Sequence, residues 1–325
     1  MLESNIRKRE NLKESRFDSP EKFLSECGEK LSEFACDNVI KDKVNQVLCT
    51  FHELPAWAQD NIYIHTGYRV PTDSYRRCLR SLLFLHNETG NVYSHLLGCL
   101  AFVSLAFSAF SYLVSTTTAS WSDYAVVFTY IIAAIFCLGF SSLFHLFCCH
   151  SEQACLSWNK CDYVGITFLI VGSFFPAIFY GFYCENKWKL IYLSFISIFG
   201  LSTLVVLLSE AYYTTEYRLH RTAIFVGLAL SGIIPITHAV LKAGIGKSFN
   251  SLSLDWFLFM GLFYILGALV YGLRIPERWF PGYFDFWFHS HQIFHVFVVA
   301  AAIIHYVGMV KAFHYHHSDL SMCLS

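Results

Sequence analysis

The sequence predicts an all-α membrane protein, a seven-transmembrane helix bundle with a cytosolic N-terminus, an outside C-terminus and a short inner interfacial helix before the first span. Three observations carry this. The 325 residues are 55% hydrophobic and only 14% charged, against roughly 25% charged in a soluble domain. Seven apolar runs follow residue 90, at about 91–114, 124–149, 163–184, 190–209, 222–241, 256–273 and 286–310. Each lacks Asp, Glu, Lys and Arg and is close to the ~20 residues a helix needs to cross a bilayer. Basic residues then orient the bundle: Arg69, Arg76, Arg77, Arg80, Lys160, Arg218, Arg221, Arg274 and Arg278 fall on the predicted inner flanks, and Lys187, Lys189, Lys242, Lys247 and Lys311 on the outer ones.

Four regions follow. Residues 1–50 read as a soluble N-terminal segment without a signal peptide. Ser19-Pro20-Glu21 suits a helix start, and Leu24, Cys27, Leu31, Phe34 and Ala35 repeat at helical spacing. A weakly ordered tail is the competing reading. Residues 51–90 form an inner-surface region. There Asp73-Ser74 caps a short amphipathic helix that interleaves Arg76, Arg77 and Arg80 with Leu79, Leu82 and Leu83, a pattern suited to a membrane surface. Residues 91–312 are the bundle, and 313–325 a short outer tail. Pro176 and Pro235, inside spans three and five, predict kinks. Asn87-Glu88-Thr89 matches a glycosylation sequon but falls on the cytosolic side, so it is expected to stay unmodified. Cysteines such as Cys99, Cys137, Cys148 and Cys149 lie in or at the end of apolar runs and read as small apolar residues, not a disulfide framework. A net charge of −1 gives no ground for a nucleic-acid partner.

The chemistry-bearing residues converge by topology. His291 and His295 are four apart, one turn above each other on a helix face. His145 ends the second span, Asp162 opens the third, and the seventh begins with the His291/His295 pair. All four are therefore predicted near the inner leaflet. Three neutral imidazoles with one open position form a catalytic zinc layout, and such an ion lowers the pKa of its water to about 7. Asp162 would serve as general base, and Ser141, one turn before His145, would orient substrate or stabilise an oxyanion. Alone, each residue has a plain alternative. The paired histidines can satisfy each other, His145 can be structural, and Asp162 can cap the third span. Polar groups gathered at one membrane depth favour a site.

Other polar residues carry less. His289 falls on a different helix face from His291 and is not counted as a ligand. Asp285 reads as a cap of the seventh helix. His95 and His150 are candidates to line the same opening. His305 is expected to pack, and His314, His316 and His317 make a weak outer cluster. Gly244-Ile245-Gly246-Lys247-Ser248 is a near-miss to a phosphate loop, with Leu241 where the first Gly belongs.

Ser141-x3-His145, Asp162 and His291-x3-His295 together resemble the signature of the progestin and adipoQ receptor family, in its adiponectin receptor and haemolysin-III-like branch. The likeness extends to His86–Leu96, Lys160–Gly165, Gly172–Pro176, Arg274–Arg278 and Pro281–Asp285. It implies Zn2+ held by His145, His291 and His295, with Asp162 reaching the metal through water. It also implies the same inverted topology. The implied activity is ceramidase-like, releasing fatty acid and sphingoid base from a ceramide-like membrane lipid and regulating lipid metabolism. An extracellular protein ligand of the adiponectin type and a homo-oligomer are the partners it suggests, in a plasma membrane or endomembrane. The competing expectation is a signalling receptor whose zinc is purely structural.

Overall fold

A computed structural model describes residues 48–209 and 215–318. The chain divides into two units, Met1–Leu48 and Cys49–Ser325, and the architecture below is that of the second. The helix predicted from Ser19 onward lies outside the described residues.

Among the described residues, seven helices are long and apolar enough to cross a membrane: Thr89–Ser115, Trp121–Phe147, Glu152–Gly181, Asn186–Leu207, Arg218–Ala243, Leu254–Leu273 and Ser290–Ser318. The protein is an integral, multi-pass, all-α bundle. Large apolar side chains such as Phe107, Leu201, Leu241 and Leu258 stay exposed. Lipid, not protein, must cover them, because they are too many and too spread for a soluble surface.

Before the spans, Tyr75–Arg80 forms the short helix with Ser74 as N-cap, and a 3-10 turn continues it through Leu83. The third helix differs most from its predicted extent. It begins at Glu152, capped by the Ser151 hydroxyl, which accepts from the Ala154 N–H at 3.4 Å. Asp162 therefore lies inside the helix and does not cap it. The helix runs unbroken through Pro176, whereas the fifth span breaks at Ser231-Gly232, just before Pro235. The seventh helix continues to Ser318, past the predicted bundle limit at 312, and buries Phe313 and His316.

The second span is the centre of the bundle. It contributes Val126, Tyr130, Ile131, Ala134 and Leu138 to one buried cluster with Phe102, Leu169, Ala302 and Met309. Its contact with the third span depends on glycine. A Cβ on Gly165 would stand 2.8 Å from the Cys137 Cα, and one on Gly172 would stand 2.6 Å from the Ala133 Cβ. Small residues at such seams let backbones approach closely. Gly172→Leu is expected to lower the thermal midpoint in detergent, the cost of overpacking being about 1–3 kcal/mol or more. An unchanged midpoint by fluorescence-detected unfolding would contradict the close seam.

At the end of the bundle away from the short helix, Asp123 caps the second span by accepting from the Ser120 N–H and hydroxyl at 2.9 and 2.6 Å. Tyr180 and His317 also meet this fully buried carboxylate, at 3.0 and 3.2 Å. It thereby joins spans two, three and seven. Cys99, Cys137, Cys148 and Cys149 are free thiols, as the sequence suggests. Cys184 is disulfide-bonded, which the reading of the cysteines as small apolar residues did not foresee.

Candidate metal centre

His145 sits in the last turn of the second span, and His291 and His295 in the first turns of the seventh. One nitrogen from each lies within 4.8 Å of the others. The three rings meet edge to face, with His145 4.8 Å from both His291 and His295. His145 and His295 are buried, and His291 is partly buried.

Hydrogen bonds fix how the rings present themselves. His145 Nδ1 lies 2.7 Å from Glu88 Oε2, and the same oxygen accepts from Asn91 Nδ2 at 2.6 Å. His295 Nδ1 faces the Asn91 carbonyl at 3.2 Å and Ser94 Oγ at 3.3 Å. With Nδ1–H donating in each ring, Nε2 keeps its lone pair. The buried Nε2 of His145 has no hydrogen-bond partner among the described residues. An orphaned, correctly polarised nitrogen facing two more imidazoles is what a metal ion would satisfy. The residues present fit such an ion, and this buried group can hold one.

Ser141 is buried one turn before His145. Asp162 is also buried, and one of its carboxylate oxygens lacks a partner. His145 and Ser141 are close enough to act on its carboxyl. The structure thus brings together His145, His291 and His295, with Ser141 and Asp162 beside them.

Other residues fall differently. His95 stacks on His295 with ring centroids 3.6 Å apart and planes 6° from parallel, and both its nitrogens are buried without partners. His150 lies instead against Tyr75, bonded to Ser151. His289 is held at the Asn87 carbonyl at 3.1 Å. His305 packs, with Nδ1 3.0 Å from the Met260 sulfur. His314, His316 and His317 do not converge: they meet Tyr112, Ser251 and the Thr118/Asp123 pair respectively. Asn87 of the sequon is only 3% exposed, which leaves no room for a glycan.

Asp285 is not the cap of the seventh helix. Its carboxylate accepts from the backbone N–H groups of His65 and Thr66 at 2.8 and 2.9 Å and from the Thr66 hydroxyl at 2.6 Å. Glu277 does the capping. It accepts from the Ser290 N–H at 2.7 Å and the Ser290 hydroxyl, and also from Asn61 Nδ2 at 3.1 Å. Capping from thirteen residues upstream carries no local sequence signal.

A cavity of about 180 Å³ opens beside His145 and His291, lined also by Glu88, Asn91, Arg69 and Trp57. Arg69 is buried and donates to the carbonyls of His145 and Leu146 at 2.6 and 2.9 Å. It satisfies the free carbonyls at the end of the second span. Glu88 and Arg69 therefore position His145 from its ring side and its backbone side. Glu88→Gln is expected to weaken metal affinity by about 10–100-fold, the usual cost of losing a carboxylate behind a ligating histidine. Competition titration with a chromogenic chelator measures this, and an unchanged affinity would remove Glu88 from the site.

The fold and site define a seven-span membrane protein with a buried three-histidine group at one end of the bundle. Residues 83–306 match the family described as haemolysin-III related. The chain belongs to that family, which includes the progestin and adipoQ receptors that the motifs resemble. It is 46% identical to the adiponectin receptor protein of Drosophila melanogaster over 81% of this chain and 59% of that protein. It is 42% identical to the progestin and adipoQ receptor-like protein 1 of Caenorhabditis elegans over 80% and 59%. It is also 36% identical to the ADIPOR-like receptor IZH2 of Saccharomyces cerevisiae over 85% and 87%. The chain therefore spans about three-fifths of the two animal relatives it matches.

Proposed function

We propose that this protein is an adiponectin-receptor-like, zinc-dependent intramembrane hydrolase that cleaves the amide of ceramide-like lipids into fatty acid and sphingoid base. The observation that carries this reading is the pairing of three converging imidazoles with a buried, incompletely bonded carboxylate, Asp162, and a neighbouring hydroxyl, Ser141. An all-nitrogen, three-ligand set suits zinc with an open position better than it suits magnesium or calcium. When bound, such an ion supplies Lewis acidity and acidifies water.

The chain's residues have separate tasks in this reading. His145, His291 and His295 would hold the ion. Glu88, Asn91 and Ser94 keep the outer nitrogens of His145 and His295 protonated. Asp162 takes a proton from the attacking water and returns it to the leaving amine. Ser141 donates to the carbonyl oxygen as charge grows on it. The bias of Lys and Arg favours a site near the inner leaflet, where an amide next to a lipid headgroup would reach it from the side. An extracellular protein ligand of the adiponectin type would act from the opposite face of the bundle.

The test is metal analysis of purified protein together with release of fatty acid from ceramide in lipid nanodiscs. Equimolar zinc with chelator-sensitive release supports the reading. Equimolar zinc with no release on any ceramide supports the receptor with a structural ion.

A further inference from the structure

A thiol pair lies on the cavity side of the second span, outside the histidine group. Cys78, in the short helix, is fully buried, and Cys149, two residues past the second span, is nearly so. Their sulfurs stand 3.6 Å apart. Two backbone bonds hold the segments in this register: Thr72 N–H to the Cys149 carbonyl at 3.0 Å and Asp73 N–H to the His150 carbonyl at 2.9 Å. Cys149 also lines the cavity, so a small molecule at that wall is one sulfur away from Cys78.

Three neighbours favour a thiolate on Cys78. The Cys149 thiol lies at 3.6 Å and the Thr72 hydroxyl at 3.3 Å from its sulfur. The Arg69 guanidinium is close enough to act on it and lies 3.3 Å from the adjacent Cys148 sulfur. The hydrogen bond from Cys149 leads these effects and, with them, outweighs burial, pushing the Cys78 thiol below its ordinary range. Reversible peroxide oxidation needs a low-pKa thiol, a route for the peroxide and a second thiol in reach; here Cys149, at the cavity wall, supplies both the route and the second thiol.

We infer that Cys78 and Cys149 are a redox modification site, oxidised by hydroperoxides to a disulfide that ties the short helix to the end of the second span. The Cys78 thiolate attacks one peroxide oxygen and the O–O bond breaks. The departing oxygen leaves as water or alcohol after taking a proton, and Cys78 becomes a sulfenic acid. The Cys149 sulfur, giving up its proton, attacks the Cys78 sulfur, and the S–O bond breaks with loss of water. The two sulfurs lose two electrons together, and the peroxide gains them. The pair has only to close from 3.6 Å to about 2 Å. The product would join two segments that already share a register, four residues from His145 and beside the Arg69 clamp on its carbonyl.

The experiment uses the full-length protein in nanodiscs, first reduced and then exposed to graded hydrogen peroxide. Free thiols are alkylated, the chain is digested and the products are read by mass spectrometry. Alkylation of Cys78 and Cys149 is expected to fall in parallel as a linked 78–149 peptide appears, and dithiothreitol should restore both. Cys137, buried with no thiol in contact among the described residues, is the internal reference and should be unchanged. Full alkylation of both residues after peroxide, or linkage of Cys78 to a different cysteine, would overturn the inference. Because the wild-type chain is the reagent, no variant has to fold for the result to count.

Discussion

Purified His291→Ala is expected to carry almost no metal where the wild type carries an equimolar amount, and to release no fatty acid from ceramide. Three nitrogens lie within 4.8 Å of one another, and removing one leaves two ligands and two open positions, a site that holds zinc poorly. His291 is the member to choose. It is only partly buried, and the hydrogen bonds of the Glu88, Asn91 and Ser94 network go to His145 and His295 instead. Its loss therefore removes a ligand without orphaning a buried partner, so expression and helix content should remain close to wild type. Inductively coupled plasma analysis reads the metal, and a matched detergent blank gives the background. Full metal in the variant would mean that the ion is bound elsewhere.

Asp162→Ala is expected to separate the two roles that the histidine variant loses together. Its metal content should match wild type while hydrolysis falls by about 10²–10⁴-fold, the usual contribution of a positioned acid or base. Asp162 is not among the three grouped ligands. Its carboxyl is acted on instead by Ser141 and His145 and has an oxygen without a partner. Removing the carboxylate leaves the buried Ser141 hydroxyl without the group beside it, so the variant should fold but be less stable than wild type by about 1–3 kcal/mol. Unchanged turnover would take Asp162 out of the reaction. Loss of metal would make it part of the ion's own shell.

Much of this arrangement was legible in the chain. Apolar runs long enough to span a bilayer identify themselves, because lipid leaves the backbone few alternatives to a helix. Once the spans are ordered, alternation of direction brings His145, His291 and His295 to one end. What was not legible has physical causes. The third helix begins at Glu152, not near 163, because its first turns carry Glu152, Asn159, Lys160 and Asp162, and hydropathy detects only the apolar part of a helix. Glu88 sits in a stretch that reads as a sequon, and nothing local marks it as the partner of a histidine 57 positions away. Asp285 stands just before the apolar run at 286–310 and so reads as a cap, but the helix starts only at Ser290. Asp285 is engaged by His65 and Thr66, about 220 positions upstream, and only the fold reveals that claim.

The grip of Asp285 on residues 65–66, and of Glu277 on both Asn61 and Ser290, turns the pre-span segment into a lever. Gly282 extends it by donating to the Tyr63 carbonyl at 3.0 Å. Ser290 is the residue immediately before His291. A force applied at Asn61 thus arrives, through the one carboxylate of Glu277, at the start of the helix that bears two of the three imidazoles. Whatever grasps Asn61 from outside the bundle holds a handle on the three-histidine group.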